Sequence, residues 1–229
     1  MFDKAFRQEG WIYSFLNRLW DILVLDFLFL ITSIPLFTIG ASLTALYSVT
    51  LKAVKKEESY IVKSYFRAWR ENFKKSTIIW LFYAAAGIIL AIDIFVIGVN
   101  AGSMGKVLVF LGGIAMIIWL FMGTYLLPLQ ARFENTLGNT VINSLLISVK
   151  FLPNTLQILG ILAMVPLLGV AIAILLPSVF SWYCSLLFFV GIPGIAYVSS
   201  FIYRSVFDRV SAEGETSDEK LVEVHNNSI

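Results

Sequence analysis

Few side chains in this sequence could carry chemistry, and they lie far apart along the chain. Asp26 and Asp93 stand inside long apolar runs, and two converging aspartates could supply the acid and base of an intramembrane hydrolase. Neither lies in a recognisable protease motif. A lone histidine, His225, cannot build a histidine metal site or a Ser–His–Asp triad, and a single Cys184 cannot form a CxxC site. We therefore predict a protein that is not an enzyme and that uses no metal or cofactor.

The composition instead predicts an integral membrane protein. Of 229 residues, 59% are hydrophobic and 14% are charged, whereas soluble domains carry about 25% charged residues. The apolar runs lack the alternation of polar and apolar residues that membrane β-strands require. We therefore predict an all-α, polytopic transmembrane helical bundle, with residues 1–210 as one domain.

Apolar runs define the spans. Four are clear, at about 77–99, 107–133, 155–176 and 179–204. A fifth run, residues 19–51, would be about 50 Å long as one helix, against a hydrocarbon core of about 30 Å. Pro35 disfavours a straight helix and Gly40 permits a tight bend. The run therefore predicts two helices, about 19–34 and 40–56, joined by a turn at Pro35, Thr38 and Gly40.

The distribution of Lys and Arg favours six spans. With six, 16 of the 17 basic residues lie on the cytoplasmic side; with five, 13 do. Five spans, or one re-entrant hairpin, remain the alternatives. The preferred topology is a multi-pass plasma-membrane protein with both termini in the cytoplasm.

Two features of the spans concern packing and charge. The second helix carries small residues at positions suited to close helix packing: Ala41, Thr44, Ala45 and Ser48. Ionisable residues are costly in a membrane, so Asp26, Asp93 and Arg132 are candidates for function. We hypothesise that Asp26 or Asp21 pairs with Arg132 across the bundle.

Residues 59–75 predict a basic amphipathic helix. Its apolar positions recur at helical spacing: Val62, Phe66, Trp69 and Phe73. Its basic positions follow one residue later: Lys63, Arg67, Arg70 and Lys74. Such a helix suits the headgroups of an anionic inner leaflet. It is either a topology determinant or a docking surface for a cytoplasmic partner, and no nucleic-acid partner is expected.

Two further segments lie towards the C-terminus. Residues 139–152 repeat the apolar pattern without the basic face, which predicts a second, more buried interfacial helix. Residues 211–229 are polar and acidic, which predicts a disordered cytoplasmic tail. The sequence gives no indication of an oligomeric state.

The stretch "NRLWDILVLDFLFLITSIPLFTIGASLTALYSV" resembles the start of the YesL-like family of predicted bacterial integral membrane proteins. The matching positions are Asn17, Trp20, Pro35, Thr38, Gly40, Ala45 and Tyr47. The segments "YFRAWRENFKKS" and "YLLPLQARF" are also similar to the family. The family has no established activity, and so no catalytic residues to carry over.

Members of that family often occur with carbohydrate-uptake and polysaccharide-degradation systems. The resemblance therefore implies an accessory or partner of a carbohydrate uptake system, which binds sugar transporter subunits. The alternatives are a transporter or channel for a small solute in its own right, and a membrane-bound regulator or scaffold.

Overall fold

A computed structural model describes the backbone of residues 2–55, 60–97 and 102–226 and the side chains of residues 16–55, 60–96 and 105–214. All regular elements in these ranges are helical, so the predicted all-α class is confirmed. The elements are α1 (Phe2–Ser33), a 3-10 turn (Leu36–Thr38), α2 (Ile39–Val54), α3 (Ile61–Ile92) with a π-helical extension (Asp93–Ile97), α4 (Gly102–Arg132), α5 (Leu137–Lys150), α6 (Leu152–Leu175), α7 (Pro177–Leu186), a π-helical segment (Leu187–Gly191) and α8 (Ile192–Asn226).

Five helical stretches within the described residues are long and apolar enough to cross a membrane. They are Leu36–Val54, Ile61–Val96, Gly105–Arg132, Leu152–Leu175 and Pro177–Gly214. The predicted span at 19–34 is not among them, and it carries two carboxylates, Asp21 and Asp26. The molecule is therefore a helical protein of the multi-pass membrane type.

The helices α1 and α2 form an antiparallel hairpin. Arg18, near the start of the described side chains of α1, donates from Nη1 to the carbonyl oxygen of Ala53 at the end of α2, at 3.3 Å. The chain reverses between Ser33 and Ile39, where Pro35 starts the 3-10 turn. A single long helix through residues 19–51 is therefore excluded.

Helix α2 lies at the centre of the bundle and contacts α1, α3, α4 and α8. Two-thirds of its apolar stretch is buried, including the predicted packing positions Ala41, Thr44, Ala45 and Ser48. One side of α2 joins a core cluster made of Leu25, Leu28, Phe29, Ala45, Leu46, Val49, Tyr65, Ala68 and Ala196. Small residues permit this arrangement because they let neighbouring helices approach closely.

A second core, rich in aromatic residues, joins α4 to α8. The rings of Tyr125 and Tyr203 meet edge to face with centroids 5.5 Å apart, and Phe207 stacks on Tyr203 at 6.1 Å. The hydroxyl of Tyr203 donates to the carbonyl oxygen of Thr124 at 2.7 Å. This hydrogen bond satisfies a polar group in a fully buried ring, which stabilises the α4–α8 contact.

The helix boundaries differ from the prediction at two places. The basic helix and the span at 77–99 form one continuous helix, α3, because no proline or glycine separates Lys75 from Thr77. Helix α8 continues to Asn226 where a disordered tail was predicted from residue 211, and residues 211–226 include four Glu and no proline. The last residues of that predicted tail, 227–229, and residue 59 of the basic helix lie outside the described residues.

Helix α5 covers residues 139–150 of the predicted segment 139–152, and Leu152 already begins α6. Its buried residues are mainly small and hydroxylic, namely Thr140, Ser144, Ile147 and Ser148. Ile142, Leu146 and Val149 are about 60% exposed. The expectation was a helix more buried than the basic helix. In the structure the side with Ile142, Leu146 and Val149 faces outward, whereas Ser144 and Ser148 are buried and donate to carbonyl oxygens of their own helix.

Candidate functional site

The first half of α3 presents a continuous cationic surface. Lys63, Arg67, Arg70 and Lys74 are all exposed along it, and we call these four residues the basic face. Val62 and Phe66 lie beside them and are 49% and 38% exposed. The basic face therefore combines positive charge with apolar side chains, the combination that suits the headgroup level of an anionic bilayer.

The opposite side of the same helical segment is fixed in the core. Tyr65 is fully buried, and its hydroxyl lies 2.7 Å from the hydroxyl of Thr32 and donates to the carbonyl oxygen of Ser42 at 3.4 Å. Trp69 packs against the same core and its ring lies 4.8 Å from that of Phe73. The basic face is therefore held on a rigid support rather than on a free helix.

A cluster of charges joins three helices at the end of the bundle that carries the basic face. Asp208 of α8 lies between Arg204, Arg132 and Lys55, with closest N···O distances of 3.1, 3.8 and 3.9 Å. Lys55 and Arg132 stand at the C-terminal ends of α2 and α4, where cations also complement the helix dipole. The cluster carries one negative and three positive charges, and Arg204 within it is 6% exposed.

Polar side chains also join α3, α4 and α5 near this end. Gln130 donates from Nε2 to Oδ1 of Asn72 at 3.3 Å and accepts from the hydroxyl of Thr140 at 3.0 Å. Gln130 is 3% exposed and Thr140 is fully buried. Because each group has a partner, this network fixes the position of α5 against the two long helices.

The ionisable residues predicted inside the membrane do not come together. Arg132 contacts Asp208, which lies further along the chain, and not Asp26 or Asp21. The hypothesised pair across the bundle therefore does not form. Asp26 lies on α1 against the π-helical segment before α8. Asp93 begins the π-helical extension of α3. The two aspartates thus lie on different elements of the bundle.

Hydrogen bonds from Thr38 and Trp80 hold the turn between α1 and α2. The hydroxyl of Thr38 donates to the carbonyl oxygens of Thr32 and Pro35, both at 2.6 Å, and its backbone N–H also donates to Pro35. Trp80 of α3 donates from its indole N–H to the carbonyl oxygen of Leu36 at 3.3 Å. Apolar side chains cover the tip, and Ile34 and Leu36 are each 76% exposed.

Gly40 permits the contact between this turn and α3. A Cβ atom at Gly40 would overlap Cβ of Trp80 and lie 2.5 Å from the carbonyl oxygen of Ser76. The sequence interpretation gave Gly40 a role in bending the chain; the structure gives it a role in close helix approach. Trp80 is far from the end of α3, since the helical chain continues to Ile97, about 25 Å further along.

No group of three or more potential metal ligands occurs among the residues that the structure describes. Residues 22–94 match a family described as "Protein of unknown function, DUF624", a region that runs from α1 into the π-helical extension of α3. This match is consistent with the YesL-like resemblance. Neither a curated protein nor a solved structure matches the chain.

Proposed function

We propose that this chain is a multi-pass plasma-membrane protein that acts as an accessory or partner of a carbohydrate uptake system, without enzymatic activity of its own. The observation that carries the proposal is the basic face of α3, which is exposed along its length yet fixed on the core by Tyr65 and Trp69. The carbohydrate link rests on the resemblance to a family whose members often occur with such systems. The basic face lies at the anionic inner leaflet and binds transporter subunits there.

The proposed membrane topology follows from the position of the basic face of α3. In our proposal both termini and the basic face lie in the cytoplasm, and the Asp208 cluster marks the cytoplasmic ends of α2 and α4 and the point where α8 leaves the membrane. Helices α3, α4 and α6 cross the membrane once each, and α7, the π-helical segment and α8 together form a fourth crossing.

The α1–α2 hairpin enters from the cytoplasm and turns back inside the membrane, which is the re-entrant alternative to six full spans. Its turn meets α3 at Trp80, well short of the far end of that helix. The exposed side chains of the turn are apolar, and the carbonyl oxygens of Pro35 and Leu36 accept hydrogen bonds from Thr38 and Trp80. Irregular backbone at membrane depth needs hydrogen bonds from within the protein, because lipid cannot supply them.

Cysteine labelling tests this topology. In a Cys184→Ala background, Phe37→Cys and Lys106→Cys are treated from outside intact cells with a membrane-impermeant maleimide. Lys106→Cys should react and Phe37→Cys should be protected, but should react with a lipid-soluble maleimide. Ready labelling of Phe37→Cys by the impermeant reagent would show that the turn reaches the outer surface and that six full spans are correct.

Purification from mild detergent tests the function. The wild-type protein should recover the membrane subunits of a sugar importer in near-stoichiometric amount. Replacing Lys63, Arg67, Arg70 and Lys74 together by Gln should abolish this recovery, while Lys106→Gln with Lys150→Gln, which removes exposed cations elsewhere, should leave it unchanged. Absence of importer subunits together with solute flux in liposomes of the purified protein would instead establish a transporter.

A further inference from the structure

A cavity of about 610 Å³ lies between α1 and the π-helical segment that precedes α8. One carboxylate, Asp26, and three phenylalanine rings, Phe27, Phe188 and Phe189, line it. The rest of the lining consists of aliphatic side chains of α1 and of Ile34, which directly follows it. Within this lining, Asp26 is therefore the only group that can carry a charge.

Asp26 has no partner for that charge. It is 4% exposed, and it makes no hydrogen bond or ion pair with any residue that the structure describes. Burying an unpaired carboxylate is costly, and in a membrane the cost is higher because lipid supplies no hydrogen bonds. The other buried charged side chain among the described residues, Arg204, is paired with Asp208. A structural role as a link between helices would give Asp26 such a partner, and the described side chains include none.

The aromatic walls suit a positive charge. Phe188 and Phe189 are successive residues of the π-helical segment, and their rings meet edge to face with centroids 5.4 Å apart. The faces of aromatic rings attract cations, and short π-helical segments within longer helices are frequent at functional sites. One carboxylate and three rings around a common space therefore complement an organic cation.

The cavity opens to the side of the bundle, towards lipid. Phe27 is 65% exposed, Ile34 is 76% exposed, and Phe188 and Phe189 are each 58% exposed. Asp26 lies about 12 Å along α1 from Arg18, inside the apolar stretch. A ligand that reaches it must therefore come through the hydrocarbon region, which excludes small hydrated ions and favours a lipophilic molecule.

We propose that the cavity at Asp26 binds a lipophilic organic cation, with the carboxylate as counter-ion and the phenylalanine rings as the walls. This binding does not depend on the proposed partnership with a sugar importer. A neutral lipophile, such as an acyl chain, would use the apolar walls but would leave the carboxylate without a partner.

Binding of radiolabelled tetraphenylphosphonium to the purified full-length protein in detergent tests the proposal. The wild type should bind saturably, and Asp26→Asn should bind at least about tenfold more weakly because it loses the charge-assisted contact. Asp21→Asn, on the same helix but outside the cavity, should bind as the wild type does. Phe189→Leu should weaken binding several-fold, since it keeps an apolar side chain but removes a ring.

A second measurement uses only the wild-type protein and so does not depend on the folding of a variant. Unlabelled tetraphenylphosphonium should displace the label, and the neutral molecule triphenylmethanol should displace it at least about tenfold less effectively. Equal displacement by both compounds would show a cavity for neutral lipophiles and overturn the proposal. An absence of saturable binding to the wild type would also overturn the proposal. The same holds if Asp26→Asn elutes on size exclusion as the wild type does and binds tetraphenylphosphonium with unchanged affinity.

Discussion

Alanine in place of Gly40 tests the contact that holds the α1–α2 turn against α3. The added Cβ atom would overlap Cβ of Trp80 and approach the carbonyl oxygen of Ser76 to 2.5 Å. Neither atom is at the end of a flexible side chain, so a rotamer change cannot relieve the overlap. The hairpin as a whole must shift away from α3.

The expected loss is the cost of overpacking a core, about 1–3 kcal/mol. For a chain of this size, 1 kcal/mol corresponds to about 2–4 °C in melting temperature, so Gly40→Ala should melt about 2–12 °C lower than the wild type. The displaced turn should also weaken the bond from Trp80 to Leu36, which is 3.3 Å long in the wild type. Thermal unfolding in detergent, followed by size exclusion with tryptophan fluorescence, measures the shift.

Gly160→Ala is the matched control, because it changes glycine to alanine within α6 where a Cβ atom would meet nothing within 4 Å. Alanine is favoured over glycine in a helix by about 0.5–1 kcal/mol, so this variant should melt slightly higher than the wild type. A Gly40→Ala protein as stable as Gly160→Ala would refute the close contact between the turn and α3.

Two other changes test the contacts between the long helices by the same melting assay. Asp208→Asn should lower stability by about 1–3 kcal/mol, because three cations lose their shared counter-ion and Arg204 is buried. Its control, Glu213→Gln, affects an exposed ion pair with Lys150 and should lower stability by no more than about 1 kcal/mol. A larger loss in Glu213→Gln would contradict this ranking. Tyr203→Phe should cost about 1 kcal/mol, since it removes the buried hydrogen bond to Thr124; unchanged melting would show that this bond is not stabilising.

Local signals in the sequence predicted the hairpin. Pro35 and Gly40 lie near the two ends of a short apolar stretch, and the chain reverses there because proline cannot continue the preceding helix without strain. The depth of the turn could not be predicted in this way. It depends on which residue of α3 the turn meets, and the contact with Trp80 joins positions that are separated by more than 40 residues.

Charge pairing was the least predictable property of the candidate site. Arg132 and Asp208 are 76 positions apart, and nothing in the local pattern around either residue indicates the other. The choice of Asp26 or Asp21 as the partner of Arg132 assumed that two charges at similar depth lie on facing helices. In the structure α8 occupies that place beside Arg132, and Asp26 faces the π-helical segment instead.

The burial of α2 has a consequence for how the protein is made. Of the five stretches that could cross a membrane, Leu36–Val54 is the least apolar and the most buried. Its hydroxyl groups at Thr44 and Thr50 bond to its own backbone, and Thr50 also accepts from Ser200 of α8. A helix of this kind gains little from lipid alone and much from its neighbours. During biosynthesis α2 should therefore leave the insertion machinery poorly stabilised and settle in the membrane only after α8, about 150 residues later, has been made.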